Sequence, residues 1–265
     1  MSVFILKIIA IIGMVIDHTA TVLKGSGVPY ESVNWMNIVG RMVFPIFAFL
    51  IVNGWEHTHS KKKYTFNMFL FGVISQIPFV YALFWEDGTV SGLVNLRFTA
   101  IISRLNVFFT FLIAMYCIWC IEKTKEIRHS KGSARFLKLC WWIPLLLWIV
   151  HPFILMRMLR LVHMDVDYGW SGILLVVVLY LLRQKRWAQC AAIVIWGVLM
   201  YNNWVISPTG VQFSLAGWQQ MLSVAVGALL VYCYNGKKGP SCKYLFYVIY
   251  PVHLAILAYM AVYVL

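Results

Sequence analysis

The amino-acid sequence predicts an all-α fold, in which a single domain covering residues 1–265 forms a polytopic bundle of transmembrane helices. Three observations predict it. Hydrophobic residues make up 62% of the chain and charged residues only 12%, whereas a soluble domain carries about 25% charged residues. The mean hydropathy of the chain is +0.80. The apolar residues also occur in stretches of about 20, which is the length that crosses a bilayer.

Charge clusters and Pro or Gly residues divide the chain into nine predicted spans. They lie near residues 3–23, 35–54, 66–84, 104–121, 136–154, 168–182, 187–205, 217–235 and 243–264. The first stretch is too long for the apolar part of a signal peptide, and no small-x-small cleavage site precedes the second, so we expect it to remain as a helix. Only Arg183–Arg186 separates the sixth and seventh spans, which predicts a helical hairpin.

Basic residues predict the orientation of the bundle. Lys and Arg are concentrated in the second, fourth, sixth and eighth loops, which contain Lys61–Lys63, residues 123–138, Arg183–Arg186 and Lys237–Lys243. By the positive-inside rule these loops face the cytoplasm. The intervening loops are poorer in Lys and Arg and contain Glu31, Glu86, Asp87, Asp165 and Asp167. The N-terminus is therefore predicted to be cytoplasmic and the C-terminus to lie outside.

The formal net charge of +13 is expected to anchor these loops to the anionic lipids of the inner leaflet. Membrane lipids are thus predicted partners, and nucleic acid is not. The sequence contains no nucleic-acid motif, no Gly-rich phosphate loop and no helical set of metal ligands.

An acid and a base lie side by side in the first predicted span, at Asp17 and His18. A charged residue inside a bilayer costs several kcal/mol and is functional by default. Because a carboxylate orients an imidazole, and imidazole moves protons near neutral pH, the pair is predicted to be a general-base dyad. The alternative is a buried polar pair that locks two helices together.

Arg41 is predicted to lie at the depth of Asp17. At about 1.5 Å per residue, Asp17 lies about 21 Å from the inner face of a core about 30 Å thick, and Arg41 lies about 9 Å from its outer face. Since an Arg side chain keeps its charge in a protein, Asp17 is the predicted counter-ion of Arg41. Asn106, near the start of the fourth span, and His253, which follows Pro251, are expected near the same level.

Blocks that combine apolar and polar residues recur along the whole chain. They are Leu6–His18, Gly40–Leu50, Ser75–Phe79, Asn106–Thr110, Asp167–Gly169, Tyr234–Pro240 and Phe246–Leu254. In this order they resemble the TraX family of membrane proteins, which is named for a protein linked to acetylation of the N-terminus of conjugative pilin. The resemblance implies a multi-pass protein of the bacterial cytoplasmic membrane.

The first two blocks are also similar to integral-membrane acyltransferases that modify bacterial surface glycans. In those enzymes a His in the first helix acts as the base and cytoplasmic acyl-CoA is the donor, which implies the role of base for His18. Those enzymes also carry two closely spaced Arg residues on the cytoplasmic side. The pair in this chain, Arg157 and Arg160, falls instead in a loop that is predicted to lie outside.

These expectations combine into a predicted acyltransferase that uses acetyl-CoA and no metal. Acyl transfer needs a base, a hydrogen-bond donor for the developing oxyanion, and cationic contacts for the phosphates of coenzyme A. His18, oriented by Asp17, is the predicted base. The candidate oxyanion donors are Arg41, Asn106 and His253. The candidate contacts for the phosphates are His57, His59, Lys61, Lys62 and Lys63. The acceptor is expected to be an extracytoplasmic amine or hydroxyl on a peptide, a glycan or a lipid.

Two other functions fit the same residues. A small proton-coupled transporter would use Asp17, His18, Arg41 and His253 as a relay. A membrane scaffold without activity would leave these ionisable residues without a purpose. No oligomeric state is predicted.

Overall fold

The computed structural model describes residues 1–84, 101, 103–129, 165–207, 210–214, 217–240 and 243–264, and its main elements are helices. The helices are α1 (Val3–Gly25), α2 (Tyr30–Gly40), α3 (Val43–His57), α4 (Lys61–Leu83), α5 (Val107–His129), α6 (Gly169–Leu181), α7 (Arg186–Tyr201), α8 (Trp218–Tyr232) and α9 (Lys243–Tyr263). The predicted all-α fold is confirmed. The predicted fifth span, residues 136–154, and the loop with Arg157 and Arg160 lie outside the described residues.

The helices are long and apolar enough for a membrane protein. In the described part of the chain, four segments have the length and hydropathy to cross a bilayer, namely α1, α2 with α3, α4, and Val107–Glu126 of α5. Four shorter apolar helices follow in α6, α7, α8 and the Tyr247–Tyr263 part of α9. One face of α4 exposes Phe66, Phe69, Leu70, Val73, Ile74 and Ile77, which is typical of a helix that faces lipid.

The second predicted span is broken into two helices. α2 ends at Gly40, α3 begins at Val43, and Arg41 lies in the turn between them. Pro45 accounts for the break, because it has no N–H and its ring excludes the carbonyl four residues earlier, which belongs to Arg41. The break therefore places Arg41 in the turn where α2 meets α3.

α3 is the centre of the bundle. It packs against α1, α2, α5, α6 and α8, and most of its side chains are buried. The predicted hairpin of the sixth and seventh spans is present, since α6 packs against α7, and α7 packs in turn against α8. α9 closes the bundle against α4 and α1.

Two short strand pairs were not predicted. β1 (Arg104–Leu105) pairs in parallel with β2 (Asp165–Val166), and β3 (Asn203–Ser207) pairs antiparallel with β4 (Gly210–Ser214). The predicted seventh span, 187–205, was therefore too long, because α7 ends at Tyr201. Two Asn residues follow that end, and the run from Trp204 to Ile206 has the aromatic and β-branched composition that strands favour.

The N-terminus, the described parts of the second, sixth and eighth loops, and the C-terminal part of α5 meet at one end of the bundle, which we call the inner end. Three contacts join them: the Val3 amide donates to the Lys237 carbonyl at 2.9 Å, Arg183 pairs with Glu56 at 2.7 Å, and Lys61 pairs with Glu122 at 2.6 Å. This arrangement agrees with the alternation of basic loops along the sequence. The opposite end is called the outer end.

Candidate functional site

A cavity of about 420 Å³ lies toward the outer end, between α1, α3, α4, α5 and α7. We call it the outer cavity. Asp17, His18 and Arg41 all line it, so the structure brings together the three residues that the sequence predicted to share one level. Asp167, Tyr168, Tyr201 and Tyr250 complete its polar lining.

The partner of His18 is His253, and not Asp17 as predicted. His18 Nδ1 lies 2.9 Å from His253 Nε2, and the two rings stack with centroids 5.2 Å apart. The Asp17 carboxylate instead accepts a hydrogen bond from Asn37 Nδ2 at 3.0 Å. The reason is geometric, because consecutive residues of an α-helix point about 100° apart. Asp17 and His18 therefore face different neighbours.

The hydrogen bonds of His253 assign the protons of the pair. His253 Nδ1 lies 2.9 Å from the Ile249 carbonyl oxygen, which can only accept, so Nδ1 carries a proton. In the neutral ring Nε2 is then the acceptor, and His18 Nδ1–H donates to it. The remaining nitrogen of His18, Nε2, keeps its lone pair. The pair thus leaves one basic nitrogen on a residue that lines the outer cavity.

Arg41 extends from the break between α2 and α3 toward α7. Its guanidinium lies over the Tyr201 ring, with Cζ 5.8 Å from the ring centre. Asp17 and Arg41 attract each other across the outer cavity, although the hydrogen-bond partner of the Asp17 carboxylate is Asn37. Arg41 therefore places a cation in the lining of the outer cavity.

Asp167 and Tyr168 were not predicted as site residues. Asp167 follows β2, outside the membrane-spanning helices, and its burial raises the pKa of its carboxyl to about 6. Thr110 of α5 donates to its backbone carbonyl. Tyr168 has a left-handed backbone, with φ 60°, and stacks on Phe44 with centroids 3.8 Å apart. The sequence carried two signals: the Asp167–Gly169 block, and the place of Asp167 in an outer loop with charges of both signs, which could bind a polar acceptor or be an ordinary solvated loop.

Asn106, a predicted oxyanion donor, is part of a buried hydrogen-bond network at the start of α5. Its Nδ2 donates to the Gly72 carbonyl and to Gln76 Oε1, both at 2.8 Å. Its Oδ1 accepts from the Phe108 amide at 3.0 Å and so caps the start of α5. Asn106 is fully buried and does not line the outer cavity. The structure therefore does not bring Asn106 to the cavity with His18 and Arg41, and its amide nitrogen is already engaged by Gly72 and Gln76.

Substituting Asn106 by alanine is expected to destabilise the protein by about 2–4 kcal/mol, because a helix cap and buried hydrogen bonds are lost together. The thermal midpoint of the purified protein in detergent measures this loss. Asn34→Ala is the matched control, since Asn34 Oδ1 is buried with no partner in the described part of the chain. An unchanged midpoint for Asn106→Ala would contradict the structural role.

A second cavity of about 560 Å³ opens toward the inner end, between α1, α3, α4, α5 and the segment before α9. We call it the inner cavity. His57 and His59 line it, as predicted, together with Lys7 and Lys238. Phe47, Phe108 and Phe111 line both cavities and form the wall between them.

The structure does not bring Lys61, Lys62 and Lys63 to the inner cavity. Lys61 pairs with Glu122 at 2.6 Å, and that carboxylate also accepts from the Trp55 indole at 3.1 Å and from the Tyr180 hydroxyl at 2.9 Å. Lys62 and Lys63 are exposed on the first turn of α4. The charge of Lys61 is thus compensated by Glu122, and Lys62 and Lys63 do not line the inner cavity.

The outer cavity continues into a wider vestibule of about 850 Å³ at the outer end. The two spaces share Phe79, Phe84, Asp167, Tyr168 and Met200. A polar molecule from the outer side would therefore pass these residues to reach His18. Among the described residues, no group of three or more His, Cys, Asp and Glu side chains is arranged to hold a metal ion.

A family model described as TraX protein matches residues 2–261 of the chain. The chain belongs to the TraX family. The resemblance that the sequence blocks predicted is thus confirmed. Six of those TraX-like blocks meet around the outer cavity, and four of them supply His18, Arg41, Asp167 and His253.

Two relatives are similar over nearly the whole chain. A probable fimbrial assembly protein FimC, serogroup H1, of Dichelobacter nodosus is 30% identical over 261 residues, which are 97% of this chain and 94% of the relative. A protein TraX of Escherichia coli is 26% identical over 268 residues, covering 97% of this chain and 86% of the relative. Another protein TraX, from Escherichia coli strain K12, is 27% identical over 145 residues, which are 53% of this chain and 47% of the relative. No solved structure matches this TraX-family chain.

Proposed function

We propose that this protein is an acyltransferase of the bacterial cytoplasmic membrane, which moves an acetyl group from cytoplasmic acetyl-CoA to an amine or hydroxyl outside. The observation that carries the proposal is the hydrogen bond between His18 and His253. It leaves a lone pair on His18 Nε2, in a residue that faces a cavity large enough for an acceptor group. A histidine poised in this way is suited to general-base catalysis.

The proposed reaction uses His18 first as a base and then as an acid. His18 Nε2 takes the proton of the acceptor as its N or O atom attacks the thioester carbonyl carbon. The bond from carbon to sulfur then breaks, and His18 Nε2 returns that proton to the leaving sulfur. The products are the acetylated acceptor and free coenzyme A. His253 acts as a positioning residue, because it fixes which nitrogen of His18 carries the lone pair.

Arg41 is the proposed donor to the oxyanion that develops on the thioester carbonyl. It lines the same cavity as His18, and the Tyr201 ring and the charge of Asp17 hold it in position. A fixed cationic donor in a cavity with largely apolar walls stabilises a developing negative charge strongly. In this mechanism the Asp17 carboxylate is the counter-ion of Arg41 and does not orient the His18 imidazole.

The two cavities suggest how the substrates reach the reaction from opposite sides. Acetyl-CoA would enter the inner cavity, and the acceptor would come through the vestibule and the outer cavity. The acetyl group then crosses at the wall of Phe47, Phe108 and Phe111. A relative is named a probable fimbrial assembly protein, which favours a surface-fibre peptide among the peptide, glycan and lipid acceptors.

Acetyl-CoA titration of the purified protein in detergent tests the proposal. We expect saturable binding and slow release of free thiol from acetyl-CoA, because water replaces the missing acceptor. Protein-free micelles give the background rate. No binding of acyl-CoA of any chain length, by protein that is shown to be folded, would overturn the proposal.

A proton-coupled transporter is the second candidate, because two cavities meet near a buried His pair. The same protein in vesicles with an enclosed pH-sensitive dye separates the two functions. Proton flux without thioester cleavage would favour transport. Thioester cleavage without proton flux would favour the acyltransferase.

A further inference from the structure

One stripe of α1 lines both cavities. Lys7 lines the inner cavity, and Ile11, Met14, His18 and Thr21 line the outer one. The spacings of four, three, four and three residues keep these side chains on one face of the helix. Lys7 and His18 are eleven residues apart, so they lie within about 20° of the same direction and about 16 Å apart along the axis.

The inner cavity carries positive charge at its mouth. Lys7, Lys238, His57 and His59 line it, and none of the described residues that line it is acidic. Its deeper wall is apolar and includes Phe47, Phe108 and Phe111. A cavity of this kind suits a molecule with an anionic head and a long, less polar arm that extends toward His18.

The position of Lys238 is fixed by the backbone. The Val3 amide donates to the Lys237 carbonyl at 2.9 Å, and the Phe4 amide donates to the Lys238 carbonyl at 3.1 Å. These bonds hold the segment to the first turn of α1, just before Lys7. Gly239 permits the close approach, because its φ is +73° and an added Cβ would lie 2.7 Å from Ser2 Oγ.

We propose that Lys7 and Lys238 bind the phosphates of the acyl donor, and that the length of α1 between Lys7 and His18 sets the distance from these phosphates to the base. We call this selection by distance the ruler. This inference rests on the proposed function. The chain would then select thioesters whose phosphate lies about 16 Å from the reacting carbonyl, the length of α1 between Lys7 and His18. An extended pantetheine arm spans this distance, whereas a donor with its phosphate next to the acyl group, or with none, does not fit.

Donor selectivity of the parent protein is the first test. Thioester cleavage is measured with acetyl-CoA, acetyl-dephospho-CoA and acetylpantetheine, which carries the arm without phosphate. We expect kcat/KM for acetyl-CoA and for acetyl-dephospho-CoA to be about tenfold to hundredfold above that for acetylpantetheine. Acetylpantetheine has no phosphate, so it loses the charge-assisted hydrogen bonds to the lysines, and a loss of this kind has an effect of that size. Acetyl phosphate is expected to be a poor donor.

Variants of the two lysines are the second test. Lys7→Ala and Lys238→Ala are each expected to raise KM for acetyl-CoA about tenfold and to leave kcat/KM for acetylpantetheine unchanged. Lys7→Arg should retain most of the acetyl-CoA activity, because it keeps the charge. Lys62→Ala is the matched control, since Lys62 is exposed and does not line the cavity. Lys238 lies on an exposed segment, so its variant tests the inference even if Lys7→Ala does not fold.

The outcomes distinguish the ruler hypothesis from the proposed acyltransferase activity. Equal kcat/KM for acetyl-CoA and acetylpantetheine in the parent protein would overturn the ruler and leave the acyltransferase standing. Unchanged KM for acetyl-CoA in Lys238→Ala would do the same. No cleavage of any thioester by the folded parent protein would overturn both.

Discussion

Replacing His18 by glutamine is expected to lower thioester turnover by about 10²–10⁴-fold, the usual contribution of a general base. Acetyl-CoA binding should persist, because the proposed phosphate contacts lie near the inner end. The amide of glutamine retains a polar side chain in the outer cavity but supplies no basic nitrogen. Thiol release and acetyl-CoA titration on the same sample distinguish lost chemistry from lost binding.

A double variant of His18 and its partner His253 tests this prediction more strictly. If His253 acts only by positioning His18, the double variant with His253→Gln and His18→Gln should be no slower than His18→Gln alone. Additive losses would mean that His253 acts independently of His18. Thr19→Ala is the control on the same helix, because the Thr19 hydroxyl is bonded to the Val15 carbonyl and does not line the outer cavity.

The substitution Gly40→Ala is expected to disrupt the packing of α2 on α1. An added Cβ would lie 2.3 Å from both Cγ and Oδ1 of Asp17 and 2.4 Å from its Cβ. Real Cβ atoms do not approach other atoms so closely, so the helices must separate. Since overpacking a core costs about 1–3 kcal/mol and this neighbour is a half-buried carboxylate, we expect a loss of at least about 3 kcal/mol. The thermal midpoint and turnover should fall together.

A second substitution checks the cause of that loss. All three contacted atoms belong to the Asp17 side chain, so Asp17→Gly in the Gly40→Ala background should recover much of the thermal midpoint. Turnover should not return, because Arg41 would lack its counter-ion. Ser32→Ala, on the exposed face of α2, should change neither quantity. A Gly40→Ala variant with unchanged midpoint and turnover would contradict the close packing of α1 and α2.

The sequence predicted the parts of the molecule that depend on local composition. Hydropathy and charge located the helices, and the rise per residue placed Asp17 and Arg41 at one level, where both line the outer cavity. Pro45 indicates the break after Gly40, but the prediction of a single unbroken second span did not take it into account. These features follow from the order of residues along each segment.

Partners that are distant in the sequence were not predictable in the same way. His18 and His253 are separated by 235 residues, and nothing in either segment specifies the other. The ion pair of Lys61 with Glu122 likewise depends on how the helices pack. So does the hydrogen bond that Asn106 donates to Gln76. Rotation about each helix axis decides which neighbours meet, and a pattern of apolar residues fixes that rotation poorly when all faces are apolar.

The phenylalanine wall between the cavities has a consequence for the energetics of the membrane. In the proposed reaction the acetyl group moves outward as an acylium equivalent, because the electrons of the carbon–sulfur bond stay on sulfur, and the proton of the acceptor moves inward to that sulfur. Each side therefore keeps its net charge. A charge that crossed would gain or lose about 2.3 kcal/mol per 100 mV of membrane potential. Phe47, Phe108 and Phe111 form the apolar layer that the exchange crosses. Because the proposed exchange is electroneutral, the membrane voltage neither drives it nor opposes it.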